Sequence, residues 1–384
     1  MPNDFFVHLV VLGLATAAAV APPRRPWLVA RAAYLAGMVV NEVPHLVLVL
    51  LAASTVLALD SGDLGRDALS VGLLAGACLT AAMLVYLTWR ALRARRVADA
   101  ALQTAGIAPP RSRRSAWRTA LSPLPIQPRA VQRLRNLRYG DHRRQRLDVL
   151  RRRDRPVGGP VLVYLHGGGY FSGSKNWEGR ALLHHAATRG WVCVSASYRL
   201  RPAAGFEEHL ADAQAVLAWA RAHATEYGGD PATVVMAGSS AGAHLTSLCA
   251  LSAAPRHHLA AAVCLYGHYG RYYGRGPEED IASSPFALDA AGAPAFLIAH
   301  GELDSYTPAP VARDLAAKLR RESAAPVVHV ELPGGQHGFD LLRSWRLAAV
   351  LDALDALVDS GSVRTTRRGL SEHRDDGREI PWTS

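Results

Sequence analysis

The chain has 384 residues, enough for one large domain plus an accessory segment. Its four cysteines show no CxxC or Cys/His spacing, which argues against a disulfide framework or a zinc site and reads as buried thiols in a reducing compartment. The net charge of +11 comes almost wholly from arginine, since Lys175 and Lys318 are the only lysines, and no nucleic-acid-binding signature accompanies it.

Residues 1–96 read as a membrane-anchoring segment. Phe5 to Ala21 is an apolar stretch. Leu28 to Leu59 is a second, broken by Asn41-Glu42-Val43-Pro44-His45, so that Val43 to Leu59 would span with a kink at Pro44. Ala68 to Trp89 carries no charge and as a helix would cover ~33 Å, enough for a bilayer core. About three spans are expected. Arg24, Arg25 and Arg31 flank the first connection. Asp60, Asp63 and Asp67, against only Arg66, mark the second, and Arg90, Arg93, Arg95 and Arg96 follow the third. The positive-inside rule then sets the N-terminus outside and the remaining chain in the cytoplasm. A signal peptide would need a basic start, which Met1-Pro2-Asn3-Asp4 lacks. Asn41, Glu42 and His45 are polar groups inside this apolar third, either functional or lying at a membrane edge or bonding between helices.

Residues 97–132, rich in Arg, Pro and Ser, read as a basic juxtamembrane linker with one amphipathic helix. From 133 to 360, strand-like and helix-like runs alternate, which predicts a doubly wound, mostly parallel sheet covered on both faces. Asn136–Tyr139 and Arg146–Leu150 open it as a strand pair. The strand Val161–Leu165 ends in His166-Gly167-Gly168-Gly169, whose glycines free the backbone to aim N–H groups at a developing oxyanion. Tyr170 and Phe171 follow as candidate pocket walls. Trp177–Arg189 reads as helix, Val192–Ala196 as strand, and Ala211–Tyr227 as a helix stopped by Gly228-Gly229-Asp230-Pro231.

Thr233–Ala237 then leads into Gly238-Ser239-Ser240-Ala241-Gly242, a G-x-S-x-G sequence where a strand meets a helix. Small neighbours let the backbone turn sharply there and push the Ser240 hydroxyl out of the sheet. His244, on the following helix, reads as structural. Residues 266–293 are too long for a simple loop and read as a lid. Tyr266 and Tyr269 within it either line an acyl pocket or pack as the excursion's own core. Ala295–His300 is a strand with Asp304 just past its end, and Glu302 is a rival acid. Val327–Leu332 is a strand followed by His337 between glycines. In that chain order His337 would take the Ser240 proton and Asp304 would fix its tautomer. Residues 361–384 are charged and polar and read as a disordered tail.

These motifs carry a resemblance. His166-Gly167-Gly168-Gly169, the run Gly238 to Leu245, His300 to Asp304 and His337-Gly338-Phe339 resemble the hormone-sensitive-lipase-like branch of the α/β-hydrolases, of the actinobacterial carboxylesterase/lipase type. The resemblance spans roughly residues 136 to 358. It implies the α/β-hydrolase fold, a Ser240–His337–Asp304 triad, oxyanion donors at the N–H groups of Gly168, Gly169 and Ala241, and cleavage of a small ester or lipid without metal or organic cofactor. Ser239, Ala243 and Ser305-Tyr306 depart from the commoner pattern, toward methylesterases of prenylated cysteine and formamidase-like enzymes. The alternatives are therefore an amide, formamide or prenyl-cysteine ester as substrate or, in another class, an inactive membrane scaffold.

Overall fold

The computed structural model describes residues 2–23, 25–110, 119, 121–252, 259–272 and 283–361. The chain opens with four helices, α1 (Pro2–Val20), α2 (Trp27–Glu42), α3 (Pro44–Asp60) and α4 (Ala68–Leu92). They share a small core of their own, including Phe5, Leu9, Leu51, Leu73, Leu84 and Leu87. Asp67 caps α4 by accepting the Ser70 N–H at 2.9 Å, satisfying one of the free donors at a helix start. Pro44 cannot continue the ladder of α2, and the chain turns there, so that α2 and α3 meet at 90°. Gly37 lets α2 close on α1; a Cβ there would stand 3.1 Å from the Ala19 nitrogen. The outer surface stays apolar, with Val11, Leu14, Val49, Leu57, Leu79 and Val85 exposed.

The three expected spans fare differently. Ala68 to Thr104 runs as one helix of 37 residues and, among the described residues, is the helix long and apolar enough to cross a membrane alone. The α2–α3 pair meets that test only if the bent pair counts as one broken span, and α1 is shorter. The second half of the long helix is α5 (Ala94–Thr104). Most of it falls in the expected linker, yet Ala94, Ala98, Ala101 and Leu102 are buried in the main core against β8 and the last helix.

The main body is an eight-stranded sheet in the order β1-β2-β4-β3-β5-β6-β7-β8. Its strands are β1 (Val131–Arg138), β2 (Arg146–Arg152), β3 (Gly159–Leu165), β4 (Val192–Ser197), β5 (Gly229–Ser239), β6 (Leu259–Leu265), β7 (Ala295–Gly301) and β8 (Val327–Leu332). The opening pair β1–β2 and the β2–β4 pair are antiparallel; every later pair is parallel. The parallel strands β3, β4, β5, β6 and β7 are β-branched and small-residue runs buried almost throughout, as a sheet covered on both faces requires. On one face lie α5, α6 (Arg180–Thr188) and α10 (Trp345–Asp359). On the other lie α7 (Phe206–His223), α8 (Ala241–Leu251) and α9 (Ala309–Glu322). Of the expected lid, residues 273–282 lie outside the described residues, as does the expected tail from 362 onward.

The helical segment and the sheet are joined by a buried polar clamp. Arg346, at the start of α10 and fully buried, donates to the Asn41 carbonyl at 2.7 Å and the Pro333 carbonyl at 2.9 Å, and pairs with Glu42 at 3.2 Å. Asn41 donates to the Gly334 carbonyl at 2.9 Å. His45 packs its ring 4.3 Å from that of Trp345. The polar interruption in the second apolar run is thus the contact with the sheet domain. Removing one member of a buried pair strands the other charge. We expect Arg346→Met to cost about 3–5 kcal/mol in detergent-solubilised protein, and Glu42→Met with Arg346→Met to recover part of that loss. Thermal or denaturant unfolding measures both, and a double variant less stable than the single one would contradict the clamp.

Candidate active site

Ser240 sits between β5 and α8 with φ 52° and ψ −114°, a left-handed conformation strained for a non-glycine residue. The flanking glycines make room for it. A Cβ on Gly238 would come 2.3 Å from the Gly242 backbone, and one on Gly242 would come 2.1 Å from the Leu165 carbonyl oxygen. Ser240 N–H donates to the Leu265 carbonyl at 2.9 Å, so the turn is tied to the neighbouring strand.

The hydroxyl of Ser240 lies 3.0 Å from His337 Nε2, and His337 Nδ1 lies 2.8 Å from Asp304 Oδ2. The carboxylate partner fixes the proton on Nδ1 and leaves Nε2 to accept from Ser240. Asp304 is held in turn by the N–H groups of Tyr306 and Thr307 at 2.9 and 2.8 Å and by the Thr307 hydroxyl at 3.0 Å. Glu302, the rival acid, faces elsewhere and accepts the Gly334 N–H at 2.7 Å. Burial works against an imidazolium at His337, but the Asp304 charge and hydrogen bond, with Glu178 and Asp340, outweigh it and raise its pKa. Burial pushes Asp304 up, yet the charge of His337 beside it prevails and its pKa falls below the ordinary carboxylate value.

After β3, Gly168 and Gly169 both have positive φ, 97° and 60°. Gly168 needs it and the space as well, because a Cβ there would stand 2.3 Å from the Ser172 carbonyl oxygen. Among the described residues no hydrogen bond takes up the N–H groups of Gly168, Gly169 or Ala241. Gly167, just before them, faces the serine: a Cβ on it would lie 2.9 Å from Ser240 Cβ. A serine hydroxyl, an oriented imidazole and free backbone donors within one turn of each other can attack a carbonyl and hold the resulting oxyanion.

The aromatic candidates divide. Phe171 is exposed, with Arg201 over its ring at 4.7 Å. Tyr170 and Tyr269 are fully buried in the core on the α7–α8 face. The Tyr170 hydroxyl reaches His244 Nδ1 at 2.6 Å, and His244 Nε2 reaches the Ser283 carbonyl at 2.7 Å. Burial pulls His244 down to about 3, so this histidine is a neutral structural link. Tyr266 is also buried, but its ring packs edge-on against His337 at 4.6 Å. Of the positions that depart from the commoner motif, Ser239 and Ala243 are fully buried, whereas Tyr306 is exposed with its ring 5.3 Å from that of His337.

Four residues here escape the sequence reading. Asp340 is buried behind Ser240, accepts from the Gly179 N–H at 2.9 Å and binds the Tyr266 hydroxyl. Glu178 accepts the Gly167 N–H. Burial, then the Asp340 charge, pushes Glu178 up to about 7 against that hydrogen bond. Thr307 braces Asp304. Tyr34 comes from α2 and donates to the His337 carbonyl at 3.0 Å. Asp340 had a faint signal, three residues past His337; Tyr34 had none.

Residues 147–280 match the BD-FAE family model. The chain is 35% identical over 330 residues to the probable carboxylic ester hydrolase LipM of Mycobacterium tuberculosis, covering 73% of this chain and 76% of LipM. It is 35% identical over 254 residues to esterase LipC of the same organism, covering 57% of this chain and 63% of LipC. A solved structure of esterase B from Lactobacillus rhamnosis with a tributyrin phosphonate has a TM-score of 0.53 at 18% identity, covering 72% of this chain and 97% of that one. That last likeness is one of fold.

The electrostatics fix a pH dependence. A general base at His337 would have to be neutral to accept a proton, so kcat/KM for a soluble ester should rise with pH through a midpoint above the ordinary histidine value of 6.5. Asp304→Asn should move that midpoint down and cut kcat by up to about 10⁴-fold. Glu178→Gln should move it down by less, because its influence on His337 ranks below that of Asp304. An unmoved midpoint in Asp304→Asn would contradict this electrostatic picture.

Proposed function

We propose, from the premise that the chain belongs to the carboxylic ester hydrolases of the hormone-sensitive-lipase-like α/β-hydrolase family, that it is a membrane-anchored serine esterase with Ser240 as nucleophile. The observation that carries the reading is the hydrogen-bonded series Asp304–His337–Ser240 beside free backbone donors. Ser240 Oγ attacks the ester carbonyl while His337 Nε2 takes its proton. The N–H groups of Gly168, Gly169 and Ala241 hold the oxyanion, where developing charge makes each donor worth more than in the ground state. Asp304 keeps the imidazolium oriented and compensated. The C–O bond to the alcohol then breaks, and the alcohol leaves with the proton from His337. A water deprotonated by His337 attacks the acyl-enzyme, the acid departs, and Ser240 recovers its proton.

The strain at Ser240 serves this chemistry. It presents the hydroxyl clear of the sheet and leaves the Ala241 N–H at the start of α8, where a helix end favours negative charge. The membrane part of the proposal rests on the helix from Ala68 to Thr104 and on Arg90, Arg93, Arg95 and Arg96, which follow its apolar stretch. By the positive-inside rule the loop around Asp63 faces outside and the catalytic domain faces the cytoplasm.

A fluorophosphonate probe should label the wild type covalently and leave Ser240→Ala unlabelled, with ester turnover in that variant down by at least about 10⁴-fold. Labelling of Ser240→Ala at the wild-type rate would remove Ser240 from the mechanism. For topology, Asp63→Cys should react with a membrane-impermeant thiol reagent added outside intact cells; protection there combined with labelling of a cysteine added after Ser384 would reverse the orientation.

A further inference from the structure

Helix α2 touches both the active site and the outer apolar surface. On one side Tyr34 donates to the His337 carbonyl at 3.0 Å and packs edge-on against Tyr306, ring centroids 4.9 Å apart. Tyr306 stands 5.3 Å from the His337 ring. Gly37, Asn41 and Ala30 on that same broad side are buried against α1 and the clamp. On the other side, Leu28, Ala32, Leu35 and Val39 recur at helical spacing and all are exposed, Leu28 to 72% and Leu35 to 58%. A helix is about 10–12 Å across with its side chains, so this apolar stripe lies only about one helix width from the catalytic histidine.

Two details indicate what covers the stripe. Arg31 sits over the Trp27 ring at 5.4 Å at the start of α2, and Arg93 sits over the Trp89 ring at 4.9 Å at the end of α4. Exposed tryptophans with arginines at helix ends suit the boundary between headgroups and acyl chains. The 90° bend after Glu42 turns α2 across the direction of α3, the orientation of a helix lying along a membrane surface beside one that enters it. Two more exposed rings stand next to the oxyanion loop. Phe171 N–H bonds the Gly168 carbonyl, and Trp177 precedes Glu178, which binds Gly167.

We propose that the Leu28–Val39 stripe of α2 lies in the lipid boundary layer beside the active site, and that the substrate is a water-insoluble, long-chain ester that passes from that layer by Tyr34 and Tyr306 to Ser240. This rests on the membrane-anchored esterase reading and gives it a substrate class. The anchor then does more than tether the enzyme: one of its helices forms a wall of the entrance. An acyl chain moves from lipid to a site walled by aromatic rings without exposing its methylenes to bulk water.

The test uses the full chain reconstituted in phosphatidylcholine vesicles, assayed on dioleoylglycerol in the bilayer and on p-nitrophenyl acetate in the buffer. Leu28→Asp with Leu35→Asp should reduce hydrolysis of the bilayer ester by about tenfold or more while keeping the soluble ester within about twofold. Leu28→Phe with Leu35→Phe should retain both activities. The soluble ester also reports that the Asp variant is folded. Equal losses on both esters, or no loss on either, would overturn the proposal. A wild type active on the soluble ester but inert on the bilayer ester would overturn it too, leaving the esterase reading intact. A wild type inert on both would overturn the esterase reading and this proposal with it.

Discussion

The position of His337 depends on a loop, residues 333–340, that is tied down from several distant parts of the chain. Asn41 and Tyr34 reach it from α2, through the Gly334 and His337 carbonyls. Glu302 and Leu303 reach it from the end of β7, through the Gly334 N–H and the Gly335 carbonyl. Asp340 anchors its far end to Gly179 and Tyr266. A loop histidine loses conformational freedom only when its backbone is held, and a 1 Å error in its ring would cost most of its use as a base. The strained serine is fixed by its own strand and helix. The histidine has no such local support, and its precision comes from these long-range ties.

Those ties place charge close to the chemistry. Glu178 and Asp340 lie near one another and near His337, in a region that burial makes unfavourable for carboxylates. Both have raised pKa values for that reason, while Asp304, with an imidazole against it, is lowered. Tyr164, Ser239 and Tyr266 supply hydroxyls to this buried network, with Tyr164 and Ser239 2.6 Å apart. A buried polar group is costly unless bonded, so such a network selects one arrangement of the residues around Ser239. Ser239, one of the departures from the usual motif, belongs to it, its hydroxyl bonded to that of Tyr164 and facing Asp340.

The sequence made much of the fold and site legible because those features are local. Buried parallel strands read as apolar runs, and β3, β4, β5, β7 and β8 fall where such runs occur. Ser240, the oxyanion glycines, Asp304 and His337 each follow a strand end, where short motifs carry their own signal. Contacts between distant segments were not legible. Tyr34 meets the chain 303 residues away, and nothing near it marks that partner. Glu178 looks like any surface acid until β3 brings Gly167 beside it. Tyr170 follows the oxyanion loop and reads as a pocket wall, but its positive φ of 69° turns the ring into the core. The first part of the expected linker, Val97 to Thr104, continues a helix whose first turn carries Arg95 and Arg96 and whose inner side is made of small apolar residues. Only its packing against α10 shows that it is core.

The most direct measurement is an experimental structure of the full chain after reaction with a long-chain alkyl phosphonate. The expected result is phosphorus bonded to Ser240 Oγ, the phosphoryl oxygen within hydrogen-bonding distance of the Gly168, Gly169 and Ala241 N–H groups, and the alkyl chain leaving the site alongside α2. A phosphorus atom bonded elsewhere would contradict Ser240 as the nucleophile, and a phosphoryl oxygen turned away from those three donors would contradict their role in holding the oxyanion.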